Sequence, residues 1–394
     1  MMAGMAFSVQ TLFGQTRFGQ RRPFSVLAAA AVGALLVATP VAAATPTPAP
    51  PPDGSTLGAD RLPSCGSVVA AMSPRAKLAQ RVMVGVEAGD VAATATMVRT
   101  SQVGGIFLGG NDTALLKNQE LRGVQAVSRI PLAVAVDDEG GRVQRIDTLD
   151  GDLPSARSLA ARKTPAQVQQ LAQERGQQLA ARGVTIDFAP DADVSDEPAD
   201  AVIGDRSFSN DPDTVTQFAG AFADGLRAAG VMPVFKHFPG HGHGSGDSHK
   251  GRVTTPPLAQ LRADDLKPYT TLLQAAGGAG VMVGHLDVPG LTDGLPTSLT
   301  PAAYALLRDD FRFDGLVVTD DLGAMKAITG EFQLPEAVAK ALAAGADMAL
   351  WSDGGDVAPV LAGLDKALAD GTLDAGANDR SVARILAAKH TCTR

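Results

Sequence analysis

The chain has 394 residues, Ala- and Gly-rich with few aromatics, enough for one large barrel domain or two ordinary ones. Its formal net charge of −8 becomes −11 once the three arginines ahead of residue 44 are removed with the leader described below. A protein this acidic is a poor match for nucleic acid or an anionic lipid surface, so neither is expected as a partner.

Residues 1–44 read as a signal peptide. Arg17, Arg21 and Arg22 precede an apolar run from Val26 to Ala44, no acid occurs before Asp53, and the run closes on Ala42-Ala43-Ala44, a small-residue cleavage pattern. Arg21-Arg22-Pro23-Phe24 also has the look of a weak twin-arginine export signal. A retained anchor is the alternative, but an Ala-rich run of this length is marginal as a span, and no Cys follows it to carry a lipid. Residues 45–64 form a linker whose first part, Thr45–Pro52 (TPTPAPPP), is extended and coreless. The domain proper is expected over 65–394, exported to the medium or the cell wall, without a stable membrane span, and monomeric. Its only cysteines, Cys65 and Cys392, stand at its two edges. In an exported protein that placement predicts one disulfide tying the ends together.

Strand and helix signals then alternate. Pro74–Gln80 reads as helix, Val82–Val86 as strand, Thr94–Ser101 as helix and Gly104–Leu108 as a second strand. Thr113–Val127 is helical, and Leu132–Val136 is a third strand running into Asp137-Asp138-Glu139-Gly140-Gly141. The long helix Pro165–Arg182 leads to a fourth strand, Val184–Phe188. Asp211–Ala229 is a helix with an acidic start suited to its N-terminus. The fifth strand, Val234–Phe235, ends in Lys236-His237 and a loop holding His241, His243 and His249. Leu258–Ala275 is helical, Gly280–Gly284 is the sixth strand, and Pro301–Asp309 is helical. Leu316–Thr319, the seventh strand, runs into Asp320-Asp321. Pro335–Ala344 is helical, Met348–Trp351 is the eighth strand, and Val357–Ala369 and Arg380–Lys389 close the chain. Eight apolar strands separated by helices, with no Gly-rich phosphate fingerprint after the first, predict a single (β/α)8 TIM-type barrel.

In such a barrel chemistry gathers at the C-terminal strand ends. There the chain places Asp137 and Asp138 with Arg145, then Arg206, Lys236, His237, His285, Asp320 and Asp321. Asp320 has the character of a carboxylate nucleophile, kept charged by Lys236 and Arg145. His249, whose ordinary pKa is about 6.5, can give and take a proton near neutrality. Asp247, two residues earlier, can hold that imidazole. Other roles stay open here. His285 either lines a sugar site or is a satisfied structural histidine. Asp138 is either a solvated loop acid or a site residue, and Asp191 and Asp193 divide evenly between site and structure. Asp321 is read as a supporting group and His241 as a brace. His241, His243 and His249 with Asp247 also have metal-ligand spacing, which leaves a metal-dependent hydrolase as an alternative. The Gly and Pro around them serve loop movement equally well, so no metal or cofactor is expected.

Lys236–Gly242 (KHFPGHG) followed by Asp247-Ser248-His249, with Asp137–Arg145 (DDEGGRVQR) upstream and Val317–Leu322 (VVTDDL) downstream, resembles glycoside hydrolase family 3. The likeness is to its single-domain β-N-acetylhexosaminidases of the NagZ type, and it spans about residues 72 to 355. It implies a carbohydrate substrate, terminal β-linked GlcNAc of cell-wall fragments, hydrolysed with retention through a covalent glycosyl-enzyme. By the same resemblance Asp320 is the nucleophile, His249 the acid/base supported by Asp247, and Asp137, Arg145, Arg206, Lys236 and His237 bind sugar hydroxyls. Most retaining enzymes use two carboxyls about 5–5.5 Å apart; here a His–Asp pair replaces the second. Two departures, Asp138 in place of Gln and His243 in place of an acidic or small polar residue, bear on substrate preference. A β-glucosidase or a phosphorylase of the same family is the alternative; the chain lacks the length for the further α/β domain of larger members.

Overall fold

The structure, a computed structural model, describes residues 62–275 and 277–393. The expected signal peptide, and the linker up to residue 61, lie outside the described residues. From there on the chain folds as a single (β/α)8 barrel. Among the described residues ten strands occur, in the order β1 Val82–Gly85, β2 Gly105–Leu108, β3 Ala133–Val136, β4 Ile186–Asp187, β5 Met232–Phe238, β6 Val253–Thr254, β7 Gly280–Val283, β8 Leu286–Asp287, β9 Val317–Asp321 and β10 Met348–Trp351. Eight of them close in the cyclic order β1-β10-β9-β7-β5-β4-β3-β2 with every pairing parallel, while β6 and β8 pair only with each other. All eight expected strands are present, and β6 and β8 are additions at the rim.

Alternation along each strand sets what faces where. Val82, Val84, Ile106, Leu108, Val134, Val136, Ala349 and Trp351 point outward into the layer beneath the helices. Met83, Phe107, Ala133, Ala135, Val234, Met282, Val318 and Leu350 fill the barrel. Both faces are buried, which is why the strands are near-continuous apolar runs. The same parity carries Asp137 onto the face of Ala135, Lys236 onto that of Val234, and Asp320 onto that of Val318.

The helices obey the 3.6-residue period. Pro212–Ala228 buries Val215, Phe218, Ala219, Phe222, Ala223 and Leu226, and starts with Asp211 accepting the Thr214 N–H and Pro212 in the first turn. It lies close against Pro165–Ala181. A Cβ at Gly225 would come within 2.3 Å of the Gln169 carbonyl oxygen, so only glycine permits the approach.

Two expected helices are broken. Thr113–Val127 is a 3-10 turn, Ala114–Leu116, and a short helix, Glu120–Gln125, because Asn118 and Gln119 between them take positive φ of 50° and 60°. Leu258–Ala275 divides into Leu258–Ala263 and Lys267–Ala275 at Asp264, whose φ and ψ of −139° and −85° are not helical. Two short helices, Asp147–Asp150 and Ala156–Arg162, follow β3 without having been expected.

Cys65 and Cys392 form the expected disulfide, with S–S 2.06 Å. It joins the first helix, Cys65–Ala70, to the segment that follows the last helix, Ala375–Ala388, and packs with Val69, Val382 and Leu386.

Candidate active site

A cavity of about 680 Å³ opens at the C-terminal ends of the barrel strands. Asp320, His249, Asp137, Arg145, Arg206, Lys236 and His237 all line it. These residues come from the ends of β3, β5 and β9 and from the loops after β3, β4 and β5, so barrel closure alone brings them together.

Glu139 also lines the cavity, and the strand-end reading passed over it. Arg206 clamps it with two parallel bonds, Nε to Oε2 and Nη2 to Oε1, both 2.8 Å. Lys236 Nζ lies 2.5 Å from Glu139 Oε1 and 2.7 Å from Asp137 Oδ1. Burial pushes the Glu139 carboxyl up, but Arg206 and Lys236 outweigh it and hold the carboxyl well below the usual range. Burial likewise opposes the charge on Lys236, and Asp137 and Glu139 override it, so the ammonium stays protonated. Glu139 was legible: it lies two residues beyond Asp137 and shares its side of an extended segment.

Asp138, between them, turns the other way. It is fully buried, with Oδ1 2.7 Å from Arg175 Nε and Oδ2 accepting the N–H groups of Arg145 (2.7 Å) and Ile146 (3.1 Å). It is therefore no solvated loop acid. The residue that departs from the family pattern holds the backbone of Arg145 and does not line the cavity.

His237 is set from behind. Its Nδ1 lies 2.7 Å from Asp193 Oδ2, and Asp193 Oδ1 accepts the N–H of His237 (3.2 Å) and of His241 (2.7 Å). Burial draws the His237 imidazole down to about 4 and pushes the Asp193 carboxyl up to about 6. A neutral ring donating from Nδ1 leaves Nε2, 3.4 Å from Arg206 Nη2, as an acceptor. Asp191 accepts the Asp193 N–H and stands 3.7 Å from Arg206. Asp191 and Asp193 thus brace the site and do not line it.

Asp320 is buried yet reaches the cavity floor. Burial opposes its charge, but the neighbouring His285 and His237 rings, the Asp321 N–H and Lys236 outweigh that, and its carboxyl is held below the ordinary value. His249 comes from the loop after β5, with its Nδ1 and its N–H each 2.9 Å from Asp247 Oδ1. Asp247 does not line the cavity; it orients the ring that does. Its own carboxyl lies below the ordinary value: partial burial is offset by the bonds from His249 and Lys250.

The other histidines do not converge. His285 is buried between the Ser298 hydroxyl (2.7 Å) and the Asp321 carbonyl oxygen (2.8 Å), a satisfied structural group. His241 is buried against His237. His243 pairs with Asp265 at 3.0 Å. Among the described residues, the two groups with metal-ligand spacing are Asp191–Asp193–His237 and His243–Asp264–Asp265, and neither joins the loop histidines to one another. An ionised carboxylate and a carboxylate-oriented imidazole on one cavity are the two groups needed for displacement at carbon with a protonated leaving group.

Comparison with known proteins gives the site a context. Residues 74–388 match the model of the glycosyl hydrolase family 3 N terminal domain. The chain is 49% identical over 383 residues to the beta-hexosaminidase LpqI of Mycobacterium tuberculosis, covering 93% of this chain and 97% of that protein. The crystal structure of a family 3 glycosyl hydrolase from Mycobacterium smegmatis superposes with a TM-score of 0.79 at 52% identity, over 81% of this chain and 98% of that one. A family 3 beta-N-acetylglucosaminidase from Paenibacillus sp. FPU-7 superposes with a TM-score of 0.76 at 29% identity, over 82% of this chain and 63% of that one. With a family match over most of its length and the motif residues gathered on one cavity, this chain belongs to glycosyl hydrolase family 3 and is a glycoside hydrolase.

Proposed function

We propose that this protein is an exported, retaining β-N-acetylglucosaminidase that removes terminal β-linked GlcNAc from peptidoglycan-derived fragments. The observation that supports the reading is that Asp320 and His249, its ring held by Asp247, line one cavity whose remaining charged groups suit sugar hydroxyls. Asp320 attacks the anomeric carbon as the glycosidic C–O bond breaks. His249 gives its proton to the departing oxygen, and a glycosyl ester on Asp320 results. His249, now neutral, takes a proton from water as that water attacks the same carbon, and Asp320 leaves as the carboxylate. Two inversions return the original configuration. Asp137, Arg206, Lys236 and His237 offer acceptors and donors for the ring hydroxyls. The names of the relatives, beta-hexosaminidase and beta-N-acetylglucosaminidase, support the substrate class. The disulfide supports an oxidising compartment, and no helix among the described residues is long and apolar enough to cross a membrane.

The test is turnover of a nitrophenyl β-N-acetylglucosaminide together with mass spectrometry after a fluorosugar inactivator. The sugar is expected on Asp320, and Asp320→Ala is expected to abolish turnover while leaving the fold intact. Label on another residue, or full activity in the variant, moves the nucleophile elsewhere. Running the assay with and without inorganic phosphate separates hydrolysis from phosphorolysis, and dialysis against a chelator is expected to leave the activity in place.

A further inference from the structure

The proton donor and the nucleophile reach the cavity from different elements, the loop after β5 and the end of β9. Hydrogen bonds and the short stretches of backbone between them connect the two, by way of Asp321. Asp321 Oδ1 accepts the N–H groups of Gly323 (2.8 Å), Ala324 (3.1 Å) and Ser352 (3.1 Å), and the Ser352 hydroxyl bonds Oδ2. These bonds fix the turn after β9. The turn is also tightly enclosed: a Cβ at Gly323 would lie 2.3 Å from Asp353 Oδ1 and 2.9 Å from Trp351 Cβ.

This turn carries Met325 and the short helix Lys326–Thr329, and on it sits Ser248. Ser248 is buried; its carbonyl oxygen accepts the Ala327 N–H (3.0 Å), and its hydroxyl lies on Met325 Sδ (3.5 Å). The loop is fastened at its base by Ser245 N–H to the Thr254 carbonyl (2.9 Å) and Thr254 N–H to Ser245 Oγ (2.9 Å). Asp247 and His249 flank Ser248. The His249 side chain is 59% exposed, and its ring bonds Asp247 on the same loop, which in turn pairs with Lys250. The pair is thus held to the barrel through the residue between its members.

We infer that Asp321 is a positioning residue for the proton donor: by shaping the turn that seats Ser248, it sets where His249 stands over the cavity. The inference rests on the reading of His249 as acid/base, and it assigns to Asp321 a role separate from that of its neighbour Asp320.

The experiment uses the whole protein and a leaving-group series, from dinitrophenyl β-N-acetylglucosaminide to a GlcNAc disaccharide. His249→Ala is the reference, because proton donation worth about 10²–10⁴-fold matters only for a poor leaving group. Asp321→Ala is expected to fall by about 10²-fold on the disaccharide and by less than about tenfold on the dinitrophenyl substrate, the pattern of lost acid catalysis. Asp321→Asn keeps an acceptor oxygen and is expected to recover most of the loss. Ala327→Pro removes the N–H that seats Ser248, at a first-turn helix position that tolerates proline, and is expected to show the same selective loss. Equal losses across the series in folded Asp321→Ala would place its effect on Asp320 or on the fold and overturn the inference. If Asp321→Ala does not fold, equal losses in Ala327→Pro overturn it. If His249→Ala itself shows no leaving-group dependence, the acid/base reading fails first, and a wild type inactive on every substrate fails the proposed function.

Discussion

Lys236 is buried between two carboxylates, Asp137 and Glu139, and beside one cation, Arg206, and the balance of that group decides the charge on the sugar site. Asp137 and Glu139 hold Lys236 protonated, while Arg206 and Lys236 together hold Glu139 ionised. Removing one partner of such a group leaves the others buried and uncompensated, which costs about 3–5 kcal/mol. Glu139→Gln is therefore expected to lower the unfolding free energy by about 3 kcal/mol in a denaturant titration at neutral pH. The sign with pH follows from the depressed carboxyl. Its contribution is complete above the ordinary glutamate value of about 4.3 and is lost only as pH falls through the lower folded value, so the two proteins converge in strong acid. His237 and Asp193 work against each other. The unfolded chain protonates histidine from about 6.5 downward, whereas the folded ring resists to about 4, which costs stability on acidification. The raised Asp193 carboxyl, at about 6, returns part of it.

At the level of elements, the strands were legible and the helix breaks were not. A barrel strand buries both faces, so it announces itself as an apolar run wherever it lies. The break at Asp264 depends on a partner far away in sequence: Asp265 turns inward to take His243, which lies on the loop after β5. Space enforces the arrangement. Gly240, at φ +127°, passes so close that a Cβ there would lie 2.5 Å from Asp265 Cβ. The Asp265 bond raises the half-exposed His243 to about 9 against its partial burial, with Asp264 and Asp196 adding to the rise. A raised imidazole contributes fully below about 6.5 and loses that contribution as pH rises through the folded value. The melting temperature is thus expected to decline between pH 6.5 and 9, with the decline reduced in His243→Gln. An identical slope in the variant would show that the pair does not stabilise the fold. In the same way His243, which departs from the family pattern, is drawn to Asp265 and away from His241 and His249.

Across the described fold, the first helix of the barrel domain and the segment that follows its last helix are tied at the barrel end away from the cavity. The disulfide spans 327 residues and packs with Ile130, just ahead of β3. Nearby the buried Asp347, at the start of β10, takes Arg308 (2.7 Å) and, from the last helix, Arg384 (3.4 Å). A cross-link over so long a loop restricts the unfolded chain most, so Cys65→Ser with Cys392→Ser is expected to lower stability by about 2–5 kcal/mol. Because the bridge and the cavity lie at opposite barrel ends, kcat/KM of the folded protein is expected to stay essentially unchanged; a large fall would mean that the ends are coupled.

Local pattern determined the eight barrel strands, and hence the barrel, and the side of each strand on which Asp137, Lys236 and Asp320 fall, because period and polarity are properties of neighbouring residues; the cysteine pair followed from the chain having only two cysteines, one at each edge of the domain. The pairing of Glu139 with Arg206 and Lys236, the inward turn of Asp138, the parting of the histidines and the seating of Ser248 on the turn held by Asp321 were decided only by the closed barrel. Those outcomes depend on distances of a few ångströms and on burial between residues up to 99 positions apart, as for Asp137 and Lys236. Electrostatic and hydrogen-bond energies follow separation in space and exclusion of water, and neither is written in the order of the chain.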